Sequence, residues 1–224
     1  MKKVSILKKI KAGQKKPDGI FGSFMTRPVS HYVAYVALKL NLSPNFVSFL
    51  SFVFCAAGAM LLLYSRSASF MITAGVLWWM GAILDAADGD LARFQNCCNP
   101  FGGWFDSFLD RGKEFIIFCV FGFCQWEESS NSLFLLLGAL SVFSNVMSGY
   151  VTDTKKLFND GKRKPSLNVG KKYIFGMVDT RDFFVIVSLF ALDMRIALWM
   201  YGTVFFVLVW GQIVLFCRRY GKTC

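Results

Sequence analysis

The chain has 224 residues, 25 Lys and Arg against 14 Asp and Glu, a net charge of +11, and 55% hydrophobic and 17% aromatic residues. A disordered basic tail or nucleic-acid arm would be poor in aromatic and apolar residues. A soluble domain would spread its charges at helical or strand period, whereas here long stretches carry none. The composition therefore predicts an integral membrane protein, with no nucleic-acid partner, whose positive charge lies outside the bilayer.

In chain order, residues 1–23 form a basic cytoplasmic arm, with seven lysines in Met1 to Lys16. No apolar stretch or small-residue cleavage site follows them, so this is not read as a secretory signal. A solvated arm touching anionic membrane lipids is expected. Residues 24–42 mix Arg27, His31 and Lys39 with Phe, Tyr, Val and Leu, which predicts an amphipathic helix lying in the membrane interface. Leu42-Ser43-Pro44-Asn45 then opens the first span, with Ser43 as N-cap and Pro44 at the first helical position.

Four charge-free runs follow: 26 residues between Lys39 and Arg66, 18 between Arg66 and Asp85, 24 between Glu128 and Asp153, and 22 between Arg195 and Arg218. Crossing about 30 Å of hydrocarbon takes roughly 20 apolar residues. Two further runs are compromised: 101–125 is apolar only after Glu114, and 175–192 carries Asp179, Arg181 and Asp182. Both count as spans, because ionisable residues enter a membrane where they face a bundle interior. The expected fold is all-α, a single domain over 24–220 with the interfacial helix and six transmembrane helices near 44–64, 68–93, 101–125, 130–152, 175–192 and 196–217. Lys/Arg bias places the arm, the cluster from Lys155 to Lys172 and the basic C-terminus on one, cytoplasmic side. Of the seven cysteines, those predicted cytoplasmic are expected reduced, and Cys97-Cys98 lacks partners at zinc spacing. His31, the one histidine, is expected at the interface without a catalytic role, and Gly58, Gly81 and Gly103 are expected to pack helices.

The acids carry the chemistry. Six of the 14 (Asp85, Asp88, Asp90, Asp106, Asp110, Glu114) fall within thirty residues, at the predicted cytoplasmic ends of the second and third spans. Asp85 and Asp88 are three apart and Asp106 and Asp110 four apart, so each pair shares a helix face, with side chains about 5–6 Å apart. A short connection ending near Pro100 joins the helices as a hairpin, so both acidic faces can point into one cavity. Unpaired buried carboxylates repel one another and are costly; Arg93 and Arg111 supply part of the compensation. All-oxygen ligation at this density suits Mg²⁺ or Mn²⁺, and two such ions about 4 Å apart can clamp a phosphoryl group during in-line displacement. Acids paired with lysines at a helix end are the plainer alternative. Gly89 and Gly102 allow close approach of a ligand to the backbone. Asp90 is expected to face solvent or a lysine.

Read as one string, Asp85-Ala-Ala-Asp88-Gly89-Asp-Leu-Ala92-Arg93, eight residues, Gly102, three residues, Asp106, three residues and Asp110, this resembles the CDP-alcohol phosphotransferase signature at all eight fixed positions over 26 residues. The Pro-Asn start of the first span is similar to that family too. The resemblance implies a homodimer of six-helix bundles, a cavity open to the cytoplasm, two divalent cations, and transfer of a substituted phosphate from a CDP-linked lipid donor with release of CMP. It implies that Asp85, Asp88, Asp106 and Asp110 bind metal and that Asp110 is also the general base. It implies that Asn45, Gly89, Ala92, Arg93 and Gly102 form the CDP-donor site, with Arg93 bracing the acids or a phosphate.

A small polar, anionic acceptor would need cations of its own. Arg181 is the first candidate, with a charge pair to Asp182 or Asp179 weighed equally, and Arg111, Lys171 and Lys172 follow. Glycerol-phosphate-using members of the family carry Pro and Lys around the last aspartate. Asp106-Ser-Phe-Leu-Asp110-Arg111 instead resembles users of inositol phosphate or related polyol phosphates. Thr152 and Met177 depart from the bacterial phosphatidylinositol-phosphate synthases, which carry basic residues there. Two alternatives remain open: a soluble CDP-polyol donor, and a divalent-cation transporter, which would require acids near mid-membrane.

Overall fold

The computed structural model describes residues 3–14, 18–158, 168–169, 173–174 and 177–220. They form helices α1 (Lys3–Ala12), α2 (Ile20–Met25), α3 (Arg27–Lys39), α4 (Pro44–Tyr64), α5 (Ala68–Phe94), α6 (Pro100–Ser129), α7 (Leu133–Phe158), α8 (Met177–Phe190), α9 (Arg195–Trp199) and α10 (Phe206–Tyr220). A π-helical segment, Met200–Phe205, joins the last two into one rod. The all-α expectation has one exception. Three two-residue strands, β1 (Asp18–Gly19), β2 (Asn168–Val169) and β3 (Tyr173–Ile174), pair in the order β1-β3-β2, β1 parallel and β2 antiparallel to β3.

Four helical stretches are long and apolar enough to cross a membrane: Pro44–Tyr64, Ala68–Phe94, Leu133–Thr152 and Arg195–Arg218. The third expected span lies inside α6, whose 30 residues measure about 45 Å at 1.5 Å per residue. Its charged first half and apolar second half share one rod. The fifth lies in α8, 14 residues long.

The helix starts follow local chemistry. Ser43 Oγ accepts the Phe46 N–H at 3.2 Å and Pro44 occupies the first turn of α4. Asn99 caps α6 in the same way, its Oδ1 accepting the Gly102 N–H at 2.7 Å. The expected interfacial helix is divided: 24–42 covers the end of α2 and all of α3, with the break at Thr26 before Pro28.

The N-terminal arm differs from a solvated tail. Its α1 docks through Ile10, which is buried with Ala34, Tyr35, Ala37, Val47, Ala87 and Leu91, while Lys8, Lys9 and Lys11 stay exposed. Ile6 and Leu7 of the same helix, half-buried, pack against this cluster as well. His31 is buried on α3, with Nδ1 3.3 Å from the Arg27 carbonyl oxygen.

The larger core joins Cys55, Leu62 and Trp78 of α4 and α5 to Ile117, Phe118 and Phe121 of α6 and to Leu198 and Tyr201 of the last rod. Close approach of α6 to α7 depends on glycine: a Cβ on Gly122 would stand 2.9 Å from the Phe134 carbonyl oxygen and 3.2 Å from Gly138 Cα. Gly58 and Gly81 pack α4 against α5 as expected. Gly103 does not pack a helix; it is exposed, with nothing within 4 Å of where its Cβ would be.

Candidate active site

The C-terminal end of α5 and the N-terminal half of α6 meet α4 and α8 at one end of the bundle. The connection is short, residues 95–99, with Asn96 in the left-handed region at φ 53°. That geometry brings the two acidic faces together as their spacing predicts. One ligand oxygen each from Asp85, Asp88 and Asp106 lie within 4.8 Å of one another. Asp106 Oδ1 is buried without a hydrogen-bond partner. Asp88 accepts a hydrogen bond from Ser48 of α4, whose hydroxyl also contacts the Pro44 carbonyl at 3.2 Å. Three hard oxygen donors converging around an orphaned carboxylate oxygen fit a divalent cation such as Mg²⁺ or Mn²⁺.

Asp110 stands apart from this trio. Its Oδ1 lies 2.7 Å from Lys113 Nζ and 3.8 Å from the Arg181 guanidinium. Lys113 also reaches Asp85 Oδ1 at 2.5 Å and Ser51 Oγ at 3.3 Å. The sequence reading named Arg93 and Arg111 as neutralising cations; the structure gives that work at Asp85 and Asp110 to Lys113 and Arg181. Lys113 and the two serines, Ser48 and Ser51, escaped the sequence reading. Lys113 stands three residues after Asp110, where an i,i+3 pair was legible, but its bridge to Asp85 is tertiary.

The remaining predicted cations are already engaged. Arg181, buried to 1% exposure, pairs with Glu114 Oε1 at 2.6 Å and with Asp182 Oδ1 at 3.0 Å. Trp78 Nε1 donates to the same Asp182 oxygen at 3.1 Å. Arg111 pairs with Glu114 Oε2 at 2.7 Å and donates to the Asn145 carbonyl oxygen at 2.7 Å, lying against Gly149. Lys171 and Lys172 lie outside the described residues.

Asp90 does not face solvent or a lysine. Its side chain is buried, with Oδ1 accepting from Arg27 at 2.9 Å and Arg93 at 2.6 Å, and Oδ2 from Ser30 at 2.8 Å and Gln14 at 3.1 Å. A buried carboxylate needs such partners, and the two-residue step from Asp88 turns it to the other side of α5, where α3 and Gln14, just past the end of α1, supply them with Arg93. Arg93 therefore braces Asp90, and its Nε donates to the Gly13 carbonyl oxygen at 2.9 Å. Its guanidinium lies against Gly89, 3.2 Å from where a Cβ would be. Gly102 faces Asn45: a Cβ at Gly102 would lie 3.3 Å from Asn45 Oδ1. Asn45, Gly89, Ala92 and Gly102 are thus spread over the start of α4 and the two facing ends of α5 and α6.

Residues 41–217 match the family model of the CDP-alcohol phosphatidyltransferases. The "Bifunctional IPC transferase and DIPP synthase" of Archaeoglobus fulgidus is 27% identical over 190 residues, which is 82% of this chain and 35% of that protein. The "Archaetidylinositol phosphate synthase" of Pyrococcus horikoshii is 32% identical over 92 residues, 40% of this chain and 47% of that one. This chain thus spans well under two thirds of either relative's length. Among solved structures, the Mycobacterium tuberculosis phosphatidylinositol phosphate synthase with CDP-DAG bound shares the fold, with a TM-score of 0.62 at 18% identity over 84% of this chain and 91% of that one. With the signature intact on α5 and α6 and the family model covering most of its length, the chain belongs to the CDP-alcohol phosphatidyltransferase family.

Proposed function

We propose that this protein is a divalent-metal-dependent phosphatidyltransferase of phospholipid synthesis that moves a phosphatidyl group from a CDP-linked lipid donor to a hydroxyl of a polyol phosphate, such as inositol phosphate, releasing CMP. The carrying observation is the convergence of Asp85, Asp88 and the orphaned Asp106 Oδ1 inside the eight-position signature. The relatives named for IPC, archaetidylinositol phosphate and phosphatidylinositol phosphate support inositol phosphate as acceptor. The full reading includes six spans, cytoplasmic termini and active site, a homodimer, and two ions in the working enzyme.

Divalent cations held by Asp85, Asp88 and Asp106 would stabilise negative charge on the phosphate oxygens. The protein's own groups do the rest. The cytidine diphosphate lies along Gly89, Ala92 and Gly102, where Gly102 leaves room beside Asn45. The acceptor hydroxyl oxygen forms a bond to the lipid-bearing phosphorus, and the bond from that phosphorus to the oxygen bridging it to CMP breaks. Asp110 takes the hydroxyl proton, which requires hydrogen-bond reach of the attacking oxygen. Lys113 and Arg181 fix the Asp110 carboxylate for that role. In this reading Arg181 serves the anionic acceptor, with Glu114 and Asp182 setting its fork.

The test is purified protein with labelled CDP-diacylglycerol, Mg²⁺ or Mn²⁺, and a panel of polyol phosphates. Expected are metal-dependent CMP release and an organic-extractable labelled product with inositol phosphate. No release across the panel, with a control transferase active, overturns the reading. A product confined to the aqueous phase from a soluble CDP-polyol would move it to osmolyte-type chemistry.

A further inference from the structure

We propose that Lys113 is a resident counter-cation that limits the donor-free site to about one divalent ion by holding Asp85 and Asp110 together; this rests on the metal-dependent reading above. Lys113 is 3% exposed. An ammonium group has three protons to donate, and Lys113 Nζ has three oxygen neighbours: Asp85 Oδ1 at 2.5 Å, Asp110 Oδ1 at 2.7 Å and Ser51 Oγ at 3.3 Å. Ser51 is itself fixed, its hydroxyl donating to the Gly81 carbonyl oxygen at 2.9 Å, so a lone pair faces Lys113. Each contact comes from a different place in the chain, on α4, α5 and α6. The charge is therefore clamped by the fold: Nζ is hydrogen-bonded to Asp85 and Ser51 and ion-paired with Asp110.

The acidic cluster consequently has two unequal halves. Asp88 accepts from Ser48 and Asp106 Oδ1 is unpartnered, and neither carboxylate makes an ion pair with a cation among the described residues. Asp110 and one oxygen of Asp85 are already balanced by Lys113. Four carboxylates and one ammonium leave three negative charges, of which one divalent ion cancels two. Arg181 lies on the same side, 3.8 Å from Asp110, and is itself paired with Glu114 and Asp182. A second divalent ion would have to approach that ammonium and draw on the oxygens it holds, and like charges at this range repel strongly. The negative charge that reverses this balance arrives with the pyrophosphate of the donor, so the limit belongs to the donor-free protein. Lys113 is thus a positioning residue: it acts through Asp85 and Asp110.

The experiment loads detergent-purified, donor-free protein with Mn²⁺, removes free ion, and reads bound Mn²⁺ by elemental analysis and electron paramagnetic resonance. Wild type should hold about one Mn²⁺ per chain, with no spin coupling between ions. Lys113→Met should hold about two, with a coupled-pair signal, as expected of ions about 4 Å apart. The double variant Lys113→Met with Asp110→Asn, which removes one charge of each sign, should return to about one. About two ions on wild type, or no rise in Lys113→Met, overturns the proposal and leaves the metal-dependent reading intact. Absence of bound Mn²⁺ on wild type overturns both. If Lys113→Met does not fold, the wild-type stoichiometry and spin coupling decide alone.

Discussion

Asp88 and Asp90 are two residues apart on α5, and their carboxylates have different occupations. Asp88 joins Asp85 and Asp106, whereas Asp90 is bound by Arg27, Arg93, Ser30 and Gln14. Sequence spacing put Asp85, Asp88, Asp106 and Asp110 on shared faces, and it could do so because the signature is local to one hairpin. It could not find the partners: Ser48 lies 40 residues from Asp88, and Arg181 lies 67 from Glu114. Ser48→Ala removes the group that orients Asp88 and should weaken Mn²⁺ binding by about 10–100-fold, the usual effect of an outer-shell partner, as read by titration calorimetry. Asp110→Asn should lower kcat by about 10²–10⁴-fold, the scale of a general base, while leaving binding of the CDP-linked donor measurable. Turnover at the wild-type rate in that variant would remove Asp110 from the proton-transfer role.

Helix ends and helix crossings carry most of the local design. The starts of α4 and α6 were readable because Ser43-Pro44 and Asn99-Pro100 place a side-chain acceptor and a residue lacking an N–H where the first turn needs them. The docking of α1 was not read from the sequence, because its short apolar stripe of Ile6, Leu7 and Ile10 is outweighed by the surrounding lysines. Asp90 ties that helix to α5. Asp90→Ala should leave Arg27 and Arg93 without their carboxylate and cost about 3–5 kcal/mol, the scale for breaking a buried pair, with faster amide exchange across residues 3–14. Wild-type exchange in α1 would show that the apolar contacts of Ile6, Leu7 and Ile10 suffice to hold it. At the α6–α7 crossing, Gly122→Ala puts a methyl 2.9 Å from the Phe134 carbonyl oxygen. The helices must separate, with an expected loss of about 1–3 kcal/mol, seen as a lower thermal midpoint in detergent. An unchanged midpoint would mean that the crossing relaxes freely.

At the scale of the whole molecule, the two ends of the bundle are held differently. One end is an ionic mesh of Asp85, Asp110, Lys113, Glu114, Arg181 and Asp182, and the apolar core leads away from it to the Arg66–Glu127 and Arg195–Asp193 pairs. Cys97 and Cys98 lie exposed in the α5–α6 connection beside the acidic site. With cytoplasmic termini, a membrane-impermeant maleimide should modify them in inverted vesicles and leave them untouched in right-side-out vesicles. The reverse pattern would invert the proposed topology. Sequence arithmetic located the four described helices long and apolar enough to cross a membrane but could not foresee the wide turn in the last rod, which leaves no mark on hydropathy. That turn has a geometric consequence. Ala197, Tyr201, Phe205 and Val209, all buried, recur every fourth residue. A regular α-helix advances about 40° past a full circle in each such step, so three steps would carry Val209 roughly a third of the way round toward the lipid. The segment Met200–Phe205 sits in the middle of the series, and its i→i+5 winding subtracts from that drift. The rod thus works as a vernier, its local pitch matched to a four-residue repeat so that one straight seam stays against the bundle from Ala197 to Val209.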